Sequence, residues 1–247
     1  MEKDLIQWHD GKIKYNQNEL YDIDLPVLYI LGLSEEINSV EQLAEIRNSF
    51  AESGYRTALV SDSKDIAAFG DCYCLPMFSG ECEPGLDQRA KTIQANHYLK
   101  DLEVKGNYEL LIIGIMKGTG SYGRKIIEDF GIHAYCLSKA ARPDCVLLNV
   151  FYGTYDQEIL DQIGRSTANI IESDIDFYNI VNEIVDVSES EYQHKVCTRK
   201  IDSQLVENRV ENMEEGKVFY LVKKDQIKTF TDAVTEKLAE YAEIIKM

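Results

Sequence analysis

The feature that most constrains this chain is the alternation, over its first 150 residues, of short continuously apolar runs with segments of helical period. PVLYILG (26–32) and TALVSD (57–62) read as buried strands. Between them Val40, Leu43, Ile46, Arg47 and Phe50 recur at helical spacing from Ser39 to Ser53, and Gly54 supplies the stop. Strands that are apolar on both faces, joined through a helix, specify a parallel sheet covered on both sides, with a right-handed crossover expected.

The same grammar continues. The turn-dense run from Phe69 to Gly85 reads as a loop over the sheet edge, and LDQRAKTIQANHYLKDL as a long helix. NYELLIIGIM (107–116) is the most apolar strand. A glycine-rich turn is expected to lead into a short helix, RKIIEDF, followed by strands HAYCLS (133–138) and CVLLNVFYG (145–153). The expected fold class is α/β, a three-layer mostly parallel sheet of P-loop or Rossmann type, with a C-terminal α+β extension. All four prolines lie at or before Pro143, and after Gly164 the only glycine is Gly216. That change in punctuation divides the chain into an arm or small hairpin at 1–25, with Asp10-Gly11 as its turn, an α/β core at 26–154, and an extension at 155–247 packed on the core. Helices are expected near 156–168 and 229–246 within the extension.

Charge narrows the function classes. The chain carries 26 Lys and Arg against 43 Asp and Glu, a formal net charge of −17, which opposes nucleic acid and anionic membranes as partners. Asp156 to Glu191 holds ten acids and one base, Arg165, and reads as a solvated face or a dock for a basic partner. With no apolar signal core at the start and no membrane-length apolar run, a cytoplasmic protein with reduced cysteines is expected.

Two glycine turns are the candidate sites. Gly32-Leu-Ser-Glu-Glu-Ile-Asn-Ser39 occupies the frame of a phosphate-binding loop, G-x-x-x-x-G-K-[ST], between a strand and a helix. The second glycine and the lysine are replaced by Ile37 and Asn38, and Glu35 and Glu36 add repulsion of order a few kcal/mol toward a phosphate at ~4 Å. Gly118-Thr-Gly120-Ser-Tyr-Gly123 matches G-x-G-x-x-G after a strand, but no acid follows at the ribose distance; Lys139 and Arg142 lie there and would suit a 2′-phosphate. Parallel sheets bind ligands at the carboxyl ends of their strands, which makes Gly32, Ser34, Asn38, Ser39, Ser61, Asp62, Lys117, Gly118, Gly120 and Gly123 the candidate ligand contacts.

Other constellations are weaker. Cys72, Cys74 and Cys82 with His97 do not follow a zinc spacing, and Glu172, Asp174, Asp176 and Glu183 fit a calcium-loop count but place Phe177 where glycine is required. No metal site, and no catalytic residue, is assigned. His133 reads as a core histidine at the start of a strand. No nucleophile elbow is present.

LYILGLSEEINSVEQLAEIRNSFAESGYRTALVSDSK is similar to the opening of P-loop biotin- and cobyrinate-type synthetases without their phosphate-binding residues. YILGLSEEINS, GYRTALVSDSKD and DFGIHAYCLSKAARPDCVLLNVFYGTY together resemble a clostridial-type family of peptide maturation system proteins, associated with radical SAM enzymes that modify ribosomal peptides. The resemblance covers most of residues 26–155. It implies a place in peptide natural-product maturation, with a precursor peptide, a radical SAM maturase or both as partners, and leaves the reaction open; together with the altered phosphate frame, the expectation is a non-hydrolytic accessory protein with no cofactor. The alternative is an enzyme or sensor that binds a nucleotide or NAD(P) through Gly118–Gly123.

Overall fold

A computed structural model describes residues 8–9, 12–13, 19–80, 85–214 and 216–244. Trp8–His9 (β1) and Lys12–Ile13 (β2) pair antiparallel, as expected of a hairpin. Its Asp10-Gly11 turn lies outside the described residues.

The chain then builds one parallel sheet. Val27–Gly32 (β3) is followed by helix Val40–Glu52 (α1), Thr57–Ser61 (β4), Cys72–Cys74 (β5), the short helix Pro76–Ser79 (α2), and the long helix Gln88–Gly106 (α3). Leu110–Gly114 (β6), helix Ile132–Ala140 (α4), Cys145–Val150 (β7), helix Gln157–Ile171 (α5) and Phe177–Ile180 (β8) come next. Glu183–Val185 (β9) and Thr198–Lys200 (β10), separated by helix Val187–Gln193 (α6), form a small antiparallel pair. Helix Ser203–Val210 (α7), Val218–Phe219 (β11) and helix Lys224–Ile244 (α8) complete the fold. The seven-stranded order is β11-β8-β7-β3-β6-β4-β5, parallel at every pairing. The three-layer α/β class expected from sequence is present.

Alternation along β3 assigns the two layers. Val27, Tyr29 and Leu31 point to a core shared with Ala95 and Leu99 of α3, Ala134 and Leu137 of α4, and Leu160 of α5. Leu28 and Ile30 point to Leu43, Ile46 and Phe50 of α1 and to Ile227, Phe230 and Val234 of α8. Tyr29, fully buried, donates its hydroxyl to the Ala141 carbonyl at 2.7 Å, which satisfies the one polar atom that this strand brings into the core.

Several sequence expectations are corrected. HAYCLS lies in α4, not in a strand: its buried Ala134, Leu137 and Ser138 line one helix face, with Cys136 also buried, while Tyr135 is exposed. RKIIEDF forms no helix; Ile126 turns inward onto Ile37, Phe151 and Val196, and its neighbour Ile127 faces out. The loop over the edge contains the edge strand β5. The βαβ opening is not a neighbouring pair, because β6 inserts between β3 and β4. Residues beyond 155 do more than pack on the sheet, since β8 and β11 extend it. Phe177–Ile180, inside the acidic stretch, is a buried strand in a region without a clean sequence period.

Phe177, Phe219 and Phe230 meet edge to face with ring centroids 5.4–5.8 Å apart, joining β8, β11 and α8. Phe230→Ala should therefore cost about 3–5 kcal/mol of stability, read by urea unfolding.

Candidate functional site

The carboxyl ends of β3, β4 and β6 bring most of the candidate residues together. After Gly32 the chain turns through buried Ser34, whose Oγ accepts from the Glu36 N–H, into a single 3-10 turn at Glu35–Ile37. Ser39 caps α1, accepting from the Gln42 N–H at 3.2 Å and donating to the Glu41 carboxylate at 2.7 Å. That hydroxyl, which a magnesium-binding loop would hold toward the metal, serves its own helix.

Asn38 fills the interior of the turn. Its Nδ2 donates to the Ile115 and Met116 carbonyls at 3.2 and 3.0 Å, and its Oδ1 accepts from Asn149 Nδ2 at 3.1 Å. Asn149 Oδ1 accepts from Asn179 Nδ2 at 2.8 Å, and Asn179 Oδ1 accepts from the Leu221 N–H at 2.9 Å. Three amides thus form a satisfied chain across the sheet edge from β6 to the end of β11. A Cβ at Gly32 would lie 2.3 Å from Asn38 Oδ1, so glycine is required here by the loop's own side chain. A phosphate would need free N–H groups converging on that space. Instead the Ile37 and Asn38 N–H groups close the 3-10 turn onto Ser34 and Glu35, and the Ile37 side chain is buried.

The second glycine turn packs on the first. The Thr119 N–H donates to the Gly32 carbonyl at 3.0 Å and the Gly120 N–H to Leu33 at 2.7 Å. A Cβ on Gly118 would lie 2.7 Å from Ser34 Cα, and one on Gly120 2.6 Å from the Leu33 carbonyl. These glycines permit backbone-to-backbone contact between the turns, and two of the amides that a pyrophosphate would use are engaged. Gly123 stands apart: its φ of +86° requires glycine, with open space where a Cβ would be. No helix starts directly after it, since α4 begins only at Ile132, so the helix N-terminus that completes a dinucleotide fingerprint is missing from the turn. Lys139 lies on α4 and pairs with Glu172.

Beside the turns, Asp62 is buried and fully used. Its Oδ1 accepts from the Met116 N–H at 2.7 Å and its Oδ2 meets His133 Nδ1 at 2.8 Å. His133, expected in a strand, sits in the first turn of α4 against the Phe78 ring. Sequence reasoning did not connect it with Asp62, 71 residues away. Lys117 pairs with Glu35 across the two turns, and that bond holds its ammonium pKa above the usual value. A cavity of about 280 Å³ opens here between Glu35, Asp62, Lys64, Phe78 and Lys117, and another of about 330 Å³ lies between the start of α1 and the ends of β8 and β11. Glu128 accepts from Ser34 Oγ at 2.6 Å; desolvation raises its carboxyl pKa against the lowering effect of that bond, and Glu35 raises it further.

The zinc constellation does not assemble among the described residues. Cys72 and Cys74 lie on β5, His97 Nε2 contacts the Glu19 carbonyl at 2.6 Å, and Cys82 is outside the described residues. Among the described residues no group of His, Cys, Asp or Glu is arranged to hold a metal ion, and no helix is long and apolar enough to cross a membrane.

No known family profile matches the chain, and no curated protein matches it. Solved structures do. A DUF1611 family protein from Anabaena variabilis superposes with a TM-score of 0.56 at 12% identity, covering 88% of this chain and 61% of that one. The chain thus spans under two thirds of that protein's length. Chloroplast FtsY from Physcomitrella patens gives a TM-score of 0.46 at 13% identity (89% and 68% covered), and MinD from Aquifex aeolicus 0.42 at 10% (83% and 86%). The likeness is one of fold alone, a parallel α/β sheet covered by helices.

Two outcomes test this geometry. Asn38→Ala strands two carbonyls and the Asn149 amide, and should cost about 1–3 kcal/mol in urea unfolding. Glu128, with its folded pKa raised, contributes stability that is complete below its unfolded pKa and lost as pH rises through the folded one. Glu128→Gln, which keeps an acceptor for Ser34, should flatten that decline when melting temperature is followed from pH 4 to pH 8.

Proposed function

We propose that this protein is a non-hydrolytic accessory protein of a ribosomal-peptide maturation system, which holds a precursor peptide, its radical SAM maturase or both. The observation that carries the non-hydrolytic part is the Asn38 side chain. It occupies the space a phosphate would take and replaces the lysine that would neutralise it, while Glu35 and Glu36 border the turn. The pathway part draws on the resemblance of residues 26–155 to peptide maturation system proteins. A P-loop-like fold with its phosphate position self-filled suits binding rather than turnover, because fold alone assigns no chemistry.

The rival, a nucleotide or NAD(P) enzyme or sensor using Gly118–Gly123, has less support. The Thr119 and Gly120 amides are spent on the neighbouring turn.

Titration calorimetry with magnesium–ATP, magnesium–GTP, NAD and NADP should give no heat of binding at millimolar ligand. A short precursor peptide encoded next to this protein's gene, where one exists, should bind at micromolar concentration. Tight nucleotide binding that Gly120→Ala abolishes in a folded variant would favour the rival, and a precursor that does not bind would remove the pathway reading.

A further inference from the structure

Exposed apolar side chains are concentrated in one place. Ile127, Phe130, Ile132 and Tyr135 are 41–66% exposed within nine residues of chain. Phe130 is held there at a conformational cost. The Ile132 N–H bonds to the Asp129 carbonyl at 3.1 Å, closing a turn whose central residues, Phe130 and Gly131, both have positive φ, +57° and +74°. An aromatic residue in the left-handed region is strained, and here about half of the residue stays exposed.

The acids and the bases of the segment are used differently. Glu128 bonds to Ser34, and the Asp129 carboxylate accepts from the His133 backbone N–H, so both acids are spent on the fold. Arg124 and Lys125 are exposed, and Lys139, farther along α4, sets its ammonium 5.2 Å from the centre of the Tyr135 ring. Lys125 and Lys139 reach Glu191 and Glu172, but such half-exposed pairs are weak and exchangeable. In a chain of net charge −17, a segment of sixteen residues thus carries four exposed apolar side chains and three cations.

We propose that residues 124–139 form a docking surface for an acidic amphipathic peptide segment, whose apolar side chains cover Ile127, Phe130, Ile132 and Tyr135 while its carboxylates meet Arg124, Lys125 and Lys139. Charge complementarity selects that occupant over a basic segment, and aromatic and arginine anchors are the side chains that dominate such contacts. The proposal deepens the peptide-binding reading and rests on it for the natural source of the segment.

The test uses the full chain and two synthetic peptides with the same leucine and phenylalanine positions at helical spacing, one with glutamates elsewhere and one with lysines, followed by fluorescence anisotropy. The acidic peptide should bind, the basic one should not, and affinity should fall as salt rises. Phe130→Asn should weaken binding about tenfold or more while raising the melting temperature by about 2 °C, because asparagine tolerates the left-handed conformation. A structural role for Phe130 would instead lower that temperature and overturn the proposal. So would equal binding of both peptides, unchanged binding to the variant, or self-association of the wild type that Phe130→Asn abolishes, which would make a second copy the occupant. A parallel titration with the precursor separates the two ideas. A bound acidic peptide beside an unbound precursor sinks only the peptide-maturation reading, whereas precursor binding indifferent to Phe130→Asn sinks the docking surface.

Discussion

A single carboxamide placed over a glycine organises the carboxyl edge of this sheet. Asn38 offers a donor and an acceptor on one short side chain, and so can satisfy two backbone carbonyls on one side and the Asn149 amide on the other. A lysine at the same position would bring three donors, no acceptor, and a charge with no phosphate to meet it. The replacement is therefore coupled to Asn149 and Asn179, whose side chains continue the bonds to the last strand. Close approach of the second glycine turn, through the Thr119 and Gly120 amides, completes an edge whose polar groups answer one another.

Much of the fold was legible because its central strands are long apolar runs with clear punctuation. β3, β4, β6 and β7, together with α1, α3, α5 and α8, lie where composition and period place them. The misreadings have physical causes. HAYCLS is short, and its mix of buried and exposed residues could not distinguish a helix from a strand. RKIIEDF has a helical pattern, but Ile126 is drawn onto Phe151 while Glu128 and Asp129 bond to Ser34 and His133, and those long-range demands override local propensity. β8 was hidden because acids flank it on both sides.

The site was half legible. Missing glycine and lysine showed that the phosphate frame was altered, yet nothing in the sequence said that Asn38 would reach carbonyls more than seventy residues away. Similarly, the acidic stretch read as a solvated face or a dock for a basic partner, and some of its members also serve the fold. Asp156 and Asp186 cap helices, and Asp176 accepts from the Val146 N–H and pairs with Lys237. Counting charge along a chain cannot show which carboxylates have a backbone donor to answer.

The position of β3 also has a consequence for how the protein is made. It emerges early, yet its two partners in the sheet, β6 and β7, begin at Leu110 and Cys145. At about 5–20 residues per second of synthesis, VLYILG waits on the order of ten seconds before both of its edges can be paired. Throughout that interval a strand apolar on both faces is shielded only by whatever α1 and nascent chain lie nearby. This topology therefore leaves an aggregation-prone strand unpaired for longest during synthesis.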